Sequence, residues 1–427
     1  MSEINLNHIT KIEGHAKLHV VVEKGKIEKC ELGAIEGSRY FEGLLKDRMF
    51  YEASEISSRI CGICSCAHTV AALMAVERAL HITVSSQTKE LRDLLTLSER
   101  LRSHATHLYF LALPDYLGYE SALAMVPDYK KEVLVALKLM KLGNEMVRII
   151  GGRDLHPVSA TVGGFLKLPT NEQLRGLAEQ LREALPLAEA TFKLFAGLKY
   201  PAIDYPTQYL SLSSDQEYAM LDGGINCNGT LYAQKDFHDF IAEYHESYST
   251  ANFVVKDGKR YMVGALARLN NNRSLLMPHA KRALESLHWT FPVTNPYLNV
   301  PAQAIEIIHA IEHSIKICSS LEIKEEEPLH ITFPRKGGHG IAAIEVPRGV
   351  LWHEYTISDD GVITYANIVT PTAQNLRNMQ EDIREILPSL LHLPKATINL
   401  QIEKLIRAYD PCFSCSTHFL EVDWEEK

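Results

Sequence analysis

The stretch Arg59-Ile60-Cys61-Gly62-Ile63-Cys64-Ser65-Cys66-Ala67-His68 places a CxxC pair where a loop enters a helix, since from Cys66 to Leu80 the apolar residues recur at helical spacing. A counterpart stands at the other end of the chain. Asp410-Pro411-Cys412-Phe413-Ser414-Cys415-Ser416-Thr417-His418 follows a helical segment, and Pro411 is expected to enforce an extended turn before the second pair. Each pair spaces its sulfurs to chelate one ion. Four thiolates together suit tetrahedral zinc, an iron-sulfur centre or a less common metal, and spacing alone does not choose. Structural zinc pairs usually staple a short segment, whereas these would tie both ends of a large protein around one buried point. A thioredoxin-like dithiol is disfavoured, because no strand of a βαβ unit precedes either pair.

Outward from these pairs, helices dominate. Ser85-Ser86 are N-cap candidates for a long helix running towards Leu113, where Pro114 is expected to stop it. Further helical patterns cover 130–150, 171–198 (with Pro186 as a candidate kink), 302–321 and 374–387, which predicts a core of packed long helices. Alternation around Lys24-Gly25 predicts a hairpin over 15–35, and 344–357 and 362–369 read as the arms of another around Ser358-Asp359-Asp360-Gly361. The segment 200–269 is Gly- and aromatic-rich with turn signals, and reads as an irregular insertion. The expected class is mainly α (α+β), as one compact domain over 1–418.

At 427 residues, 46% hydrophobic and 23% charged, the chain can bury a large core. Its formal charge of -9 offers no cationic field for nucleic acid or anionic lipid. No apolar run is long enough to span a bilayer, and Met1 to Lys11 lack the pattern of a secretory signal, so a cytoplasmic protein is expected. Eight cysteines are too few for a disulfide scaffold in a chain of this length. Cys30, Cys227 and Cys318 read as buried apolar residues.

Further motifs accompany the cysteine pairs: Ile12-Glu13-Gly14-His15, Gly151-Gly152-Arg153 with His156-Pro157, Glu345-Val346-Pro347-Arg348-Gly349, and Pro371-Thr372 with Asn375. Together they resemble the signatures of nickel-iron hydrogenase large subunits over nearly the whole chain. Ser103-His104, His107-Leu108-Tyr109 and Leu113-Pro114-Asp115-Tyr116 are most similar to the cytosolic bidirectional hydrogenases linked to NAD(P). That resemblance implies the family's fold, a long-helix bundle with small peripheral sheets, and reversible heterolytic cleavage of H2. It implies that Cys61 and Cys412 bind nickel terminally, while Cys64 and Cys415 bridge it to an iron carrying carbon monoxide and two cyanides.

Other roles follow from the same likeness. Cys412 would take the first proton and Glu13 would pass it on. Arg348 and Thr372 would donate hydrogen bonds to cyanide, Thr370 would offer its backbone amide, and Pro347 and Leu351 would wall the carbon monoxide. Arg348 would also polarise H2. His68 would orient a bridging cysteine. Glu42, the carbonyl of Ile368 and His418 would hold magnesium, or iron(II), largely through water. Two departures stand out: Ser103-His104-Ala105 lacks an aspartate that many respiratory relatives carry, and Cys66 is an additional cysteine outside the pattern.

The resemblance also implies partners. No further cysteine cluster or GxGxxG-strand context is present, so iron-sulfur clusters and flavin would reside only in partner subunits: a small subunit, then NAD(P)-binding electron-transfer subunits. A nickel-insertion chaperone and a maturation protease would act on the acidic tail 419–427. Three rival readings remain: electrons passed to a heterodisulfide reductase, ferredoxin or F420-type partner; a zinc-stapled, non-enzymatic assembly subunit; and the quinone-site subunit of respiratory complex I. The last would lack the paired cysteines.

Overall fold

The computed structural model describes residues 2–6, 9–24, 26–36, 40–326 and 336–417. His418 and the tail 419–427 therefore lie outside the described residues. Four long helices form the core. Ser86–Thr106 packs on Lys130–Gly151 and on Asn299–Ser320, and Asn171–Ala196 closes the group against the latter two. The Ser85 hydroxyl caps the first of these by accepting from the Thr88 amide at 3.0 Å, as its place before the apolar run requires.

Pro114 does not stop that helix. The run widens into a π-helical segment, His107–Ala112, and resumes as Leu113–Leu117, ending at Gly118 with φ 82°. A proline inside an α-helix forfeits one N–H and crowds the carbonyl four residues back. Here it falls instead in the first turn of the new α segment, where the missing N–H costs no bond.

Three antiparallel strands, Ser2–Leu6, Ala16–Glu23 and Lys26–Ala34, include the expected N-terminal hairpin. Three more, Gly338–Val346, Gly349–Ile357 and Ile363–Val369, form the sheet that faces the cysteine-bearing helix Ser65–Ala79. The span 344–357 is thus not one arm: the chain reverses at Pro347-Arg348, with Val346 paired to Gly349. The period-two alternation of this sheet sorts its side chains between two cores. Ala342, Ile344, Leu351 and Tyr355 join the main core, while Ile341, Ala343, Val350 and Trp352 face a second one. Gly340 lies so close to the helix that a Cβ would stand 2.2 Å from the Ala75 carbonyl oxygen.

The second core is supplied largely by 200–269, which is not irregular. Strands Gln208–Ser213, Gly224–Cys227, Thr230–Tyr232 and Tyr261–Met262 form a four-stranded sheet whose Leu210, Leu212 and Ile225 pack with Phe237 and Trp352. Its strands are short and its turns frequent, so period-two alternation is too brief to register in sequence. No helix among the described residues is long and apolar enough to cross a membrane.

Candidate metal centre

The two cysteine pairs meet. Cys61, Cys64, Cys412 and Cys415 are buried, and their sulfurs lie within 4.8 Å of one another. Across the pairs, Cys61 Sγ is 3.7 Å from Cys412 Sγ and Cys64 Sγ is 3.4 Å from Cys415 Sγ; Cys412 and Cys415 are drawn together as a disulfide, a pair that offers two ligands only in its reduced, dithiolate form. Thiolates sharing an ion through bonds of ~2.3 Å stand roughly 3.3–3.8 Å apart, so the cross-pair spacing fits a metal. A hydrogen bond from the Cys64 thiol holds the pKa of Cys61 below its usual value and pushes that of Cys64 up; Arg348 lowers both. Of the two, Cys61 thus gains the thiolate character that a soft metal needs.

Pro411 does not leave an extended residue before it: Asp410 has φ 50°, in the left-handed region that Asp tolerates better than most residues. Its carboxylate faces Arg348, whose Nη2 is 3.0 Å and Nε 3.1 Å from Asp410 Oδ1, and Nε also donates to the Asp410 carbonyl at 2.7 Å. The remaining nitrogen, Nη1, is buried with no partner among the described residues. Arg348 lines one pocket with Cys64, His68, Pro347, Leu351, Thr370, Thr372, Cys412 and Cys415. Apolar walls and a fixed donor thus border the sulfurs together. A purely structural zinc site has no use for that pocket.

Hydroxyls secure the C-terminal pair. Thr372 Oγ1 accepts from the Cys412 amide at 2.8 Å, which leaves its own proton to donate, and Thr370 Oγ1 bonds Ser416 Oγ at 2.6 Å. Glu13 Oε2 is 2.9 Å from Cys412 Sγ and 3.2 Å from the Ser414 amide, and Oε1 accepts from the Ser414 hydroxyl. Gly14, at φ 81°, lets this strap approach: a Cβ there would stand 2.6 Å from the Ser414 nitrogen. His68 Nδ1 meets His353 Nε2 at 3.1 Å, and His353 Nδ1 meets the Tyr355 hydroxyl at 2.6 Å.

Glu42 and the Ile368 segment share a second cavity with Glu243, Asn252, Asn367, Thr370 and Ser416. Burial pushes the carboxyls of Glu42 and Glu243 each up to about 7. Two half-buried acids facing one space suit a hard cation with oxygen ligands. His104 stands elsewhere: its Nε2 is 2.8 Å from Glu306 Oε2, in a fully buried network with Arg100, Arg268 and Glu345. The anion facing Arg348 is therefore Asp410. Sequence reasoning missed that pairing, Ser414, His353, Tyr355 and Glu243. Only Ser414, inside the second CxxC, carried a signal, since a hydroxyl between two ligands is placed to bond nearby groups.

Comparison with known proteins agrees with this geometry. The model of the nickel-dependent hydrogenase family matches residues 39–133 and 297–418. The chain is 36% identical over 426 residues to sulfhydrogenase 1 subunit alpha of Pyrococcus furiosus, covering 98% of each chain. It is 28% identical to the NAD-reducing hydrogenase HoxS subunit beta of Cupriavidus necator, covering 97% of this chain and 94% of that one. A crystal structure of an NAD+-reducing NiFe hydrogenase in the H2-reduced state superposes with a TM-score of 0.84 at 25% identity, covering 98% of this chain and 100% of the other. The chain belongs to the nickel-dependent hydrogenase family, as the catalytic large subunit of a nickel-iron hydrogenase.

Proposed function

We propose that Cys61, Cys64, Cys412 and Cys415 would hold the nickel-iron centre, with Cys61 and Cys412 as ligands of nickel and Cys64 and Cys415 as the ligands beside the pocket that would take iron. The observation that carries this is the convergence of four sulfurs from opposite ends of the chain at metal-sharing distances. Cys64 and Cys415 also border the pocket in which Pro347 and Leu351 offer walls for carbon monoxide, and Arg348 and Thr372 offer donors for cyanide. The Thr370 amide is assigned to cyanide as well, and His68 to orienting a bridging sulfur. When bound, the centre supplies heterolytic activation of H2.

The chain's own groups then handle the proton. In its reduced form Cys412 lies within hydrogen-bond reach of Glu13, and a proton on its sulfur would pass to Glu13 Oε2, held in place by the Ser414 hydroxyl and amide. Glu13 is partly exposed, which gives the proton an exit. Arg348, fixed by Asp410, lines the same pocket as the sulfurs and keeps Nη1 without a partner among the described residues, a charge that would polarise H2 there. Glu42, the Ile368 carbonyl and His418 would hold magnesium, supported by the two half-buried carboxyls, Glu42 and Glu243, in that cavity.

Residues 1–418 form the working unit on this reading, and a maturation protease removes 419–427 after a chaperone delivers nickel. Electrons leave through an iron-sulfur small subunit and pass, through flavin-bearing subunits in the cytoplasm, to NAD(P). Likeness to two NAD-reducing enzymes supports that acceptor. The stronger identity to a sulfhydrogenase subunit favours a second reading, in which another acceptor takes the electrons. Purified complex should contain nickel and iron in equal amounts and infrared bands of iron-bound carbon monoxide and cyanide. It should also reduce NAD+ or NADP+ under H2. Zinc alone in the chain would overturn the metal assignment, and H2 oxidation coupled only to other acceptors would overturn the NAD(P) link.

A further inference from the structure

The helix Ser65–Ala79 begins directly after Cys64, which occupies its N-cap position without a side-chain bond to the first turn. First-turn N–H groups have no partners within their own helix, and a Ser, Thr, Asp or Asn at the N-cap normally satisfies one of them. Cys64 cannot do this while its sulfur faces Cys415. The task falls to another helix. Glu99, midway along Ser86–Thr106 and 0% exposed, accepts through Oε2 from the Cys66 amide at 2.8 Å and the Ala67 amide at 3.1 Å.

One turn further on the same face, Arg102 donates through Nη2 to the Ile63 carbonyl at 2.7 Å. Its Nη1 is anchored by the Asp154 carbonyl at 2.9 Å and Asn144 Oδ1 at 3.2 Å. A single helix thus holds the backbone on both sides of Cys64, with an acceptor after it and a donor before it. Glu99 Oε1 is buried with no partner among the described residues. Burying a carboxyl with one oxygen unmet is costly, and an apolar residue would fill the same space more cheaply. The two amides facing Oε2 are what the side chain gains in return.

We propose that Glu99 and Arg102 are positioning residues of the metal centre, clamping the backbone on either side of Cys64 so that its sulfur is held opposite Cys415. The inference rests on reading Cys64 as a metal ligand and adds residues that do not touch the metals. Groups that orient ligands in this way typically matter by about 10–100-fold in metal affinity or activity.

The test uses the assembled, nickel-loaded enzyme and compares wild type with Glu99→Gln, Glu99→Leu and Arg102→Gln. The readouts are the infrared bands of iron-bound carbon monoxide and cyanide, with kcat and KM for H2. Glu99→Gln keeps an oxygen for both amides and should retain wild-type band positions and kcat within about threefold. Glu99→Leu should shift or split the bands and lower kcat about 10–100-fold with KM for H2 unchanged. Bands at wild-type positions with full kcat in Glu99→Leu would overturn the clamp. Should that variant not accumulate as folded enzyme, Arg102→Gln decides: shifted bands support the clamp and unshifted bands overturn it. Wild-type enzyme without such bands would instead refute the reading of Cys64 as a ligand, so the two failures are distinct.

Discussion

The two cysteine pairs contribute equal numbers of sulfurs and are built in opposite ways. Cys61 and Cys64 lead into a buried fifteen-residue helix that packs on both a sheet and the long-helix core. Cys412 and Cys415 sit on a four-residue helix, held by the Thr372 and Ser416 hydroxyls and by the Glu13 strap. The first pair leads into a long helix of the scaffold; the second is equally buried, with Phe413 in the main core and its amide bonded to the Glu13 carbonyl at 2.9 Å, but rests on a single helical turn. On the proposed assignment, the first half would stand ready while the second, on its short turn, completes the site.

Removing a sulfur tests the comparison most severely. Cys61→Ser and Cys412→Ser should both abolish H2 oxidation and nickel retention, but only Cys61→Ser should leave the chain's thermal midpoint clearly lowered as well. Equal midpoints in the two variants would remove the distinction between scaffold and closure. Glu13→Gln strikes only the strap. It should cut turnover about 100-fold or more, in the range of lost acid–base transfer, while nickel content and infrared bands persist. Loss of nickel there would make Glu13 structural.

Arg348→Lys comes next, since a lysine cannot bond Asp410 as Nε and Nη2 do and still keep another nitrogen free in the pocket that the sulfurs line. A fall in kcat of about 100-fold is expected, with metals retained. The smallest effect belongs to His104, behind the scaffold half. Burial lowers its pKa to about 4 despite its bond to Glu306. It is therefore neutral across pH 5 to 8, and His104→Gln should leave the pH profile of activity unmoved while costing about 1–3 kcal/mol of stability. The folded pKa lies below the unfolded value of about 6.5, so wild type loses stability as pH falls from there towards 4. The variant lacks that loss, so denaturant titration should show the difference between them narrowing in acid.

Much of the scaffold half was legible in the sequence. Ser85 as a cap, the apolar period after Cys66 and the paired cysteines each carry a local signal. Less legible were features set by contacts distant in sequence. Pro347-Arg348 reads as part of a strand until the register pairs Val346 with Gly349, and Pro114 reads as a stop until the π-helical turns before it are seen. Glu99 looks like one charge among many on a long helix, and only its bonds to Cys66 and Ala67 give it a purpose. The segment 200–269 hid its sheet because its strands pair across turns with too few residues each for alternation to show.

Nickel K-edge X-ray absorption on the purified enzyme examines the meeting of the two pairs directly. Nickel should show a sulfur-dominated first shell at about 2.3 Å with an iron neighbour beyond it, and replacing any of Cys61, Cys64, Cys412 or Cys415 by serine should remove sulfur scattering or the nickel itself. A first shell of nitrogen and oxygen, or one unchanged when either pair is replaced, would contradict a centre shared between the two ends of the chain.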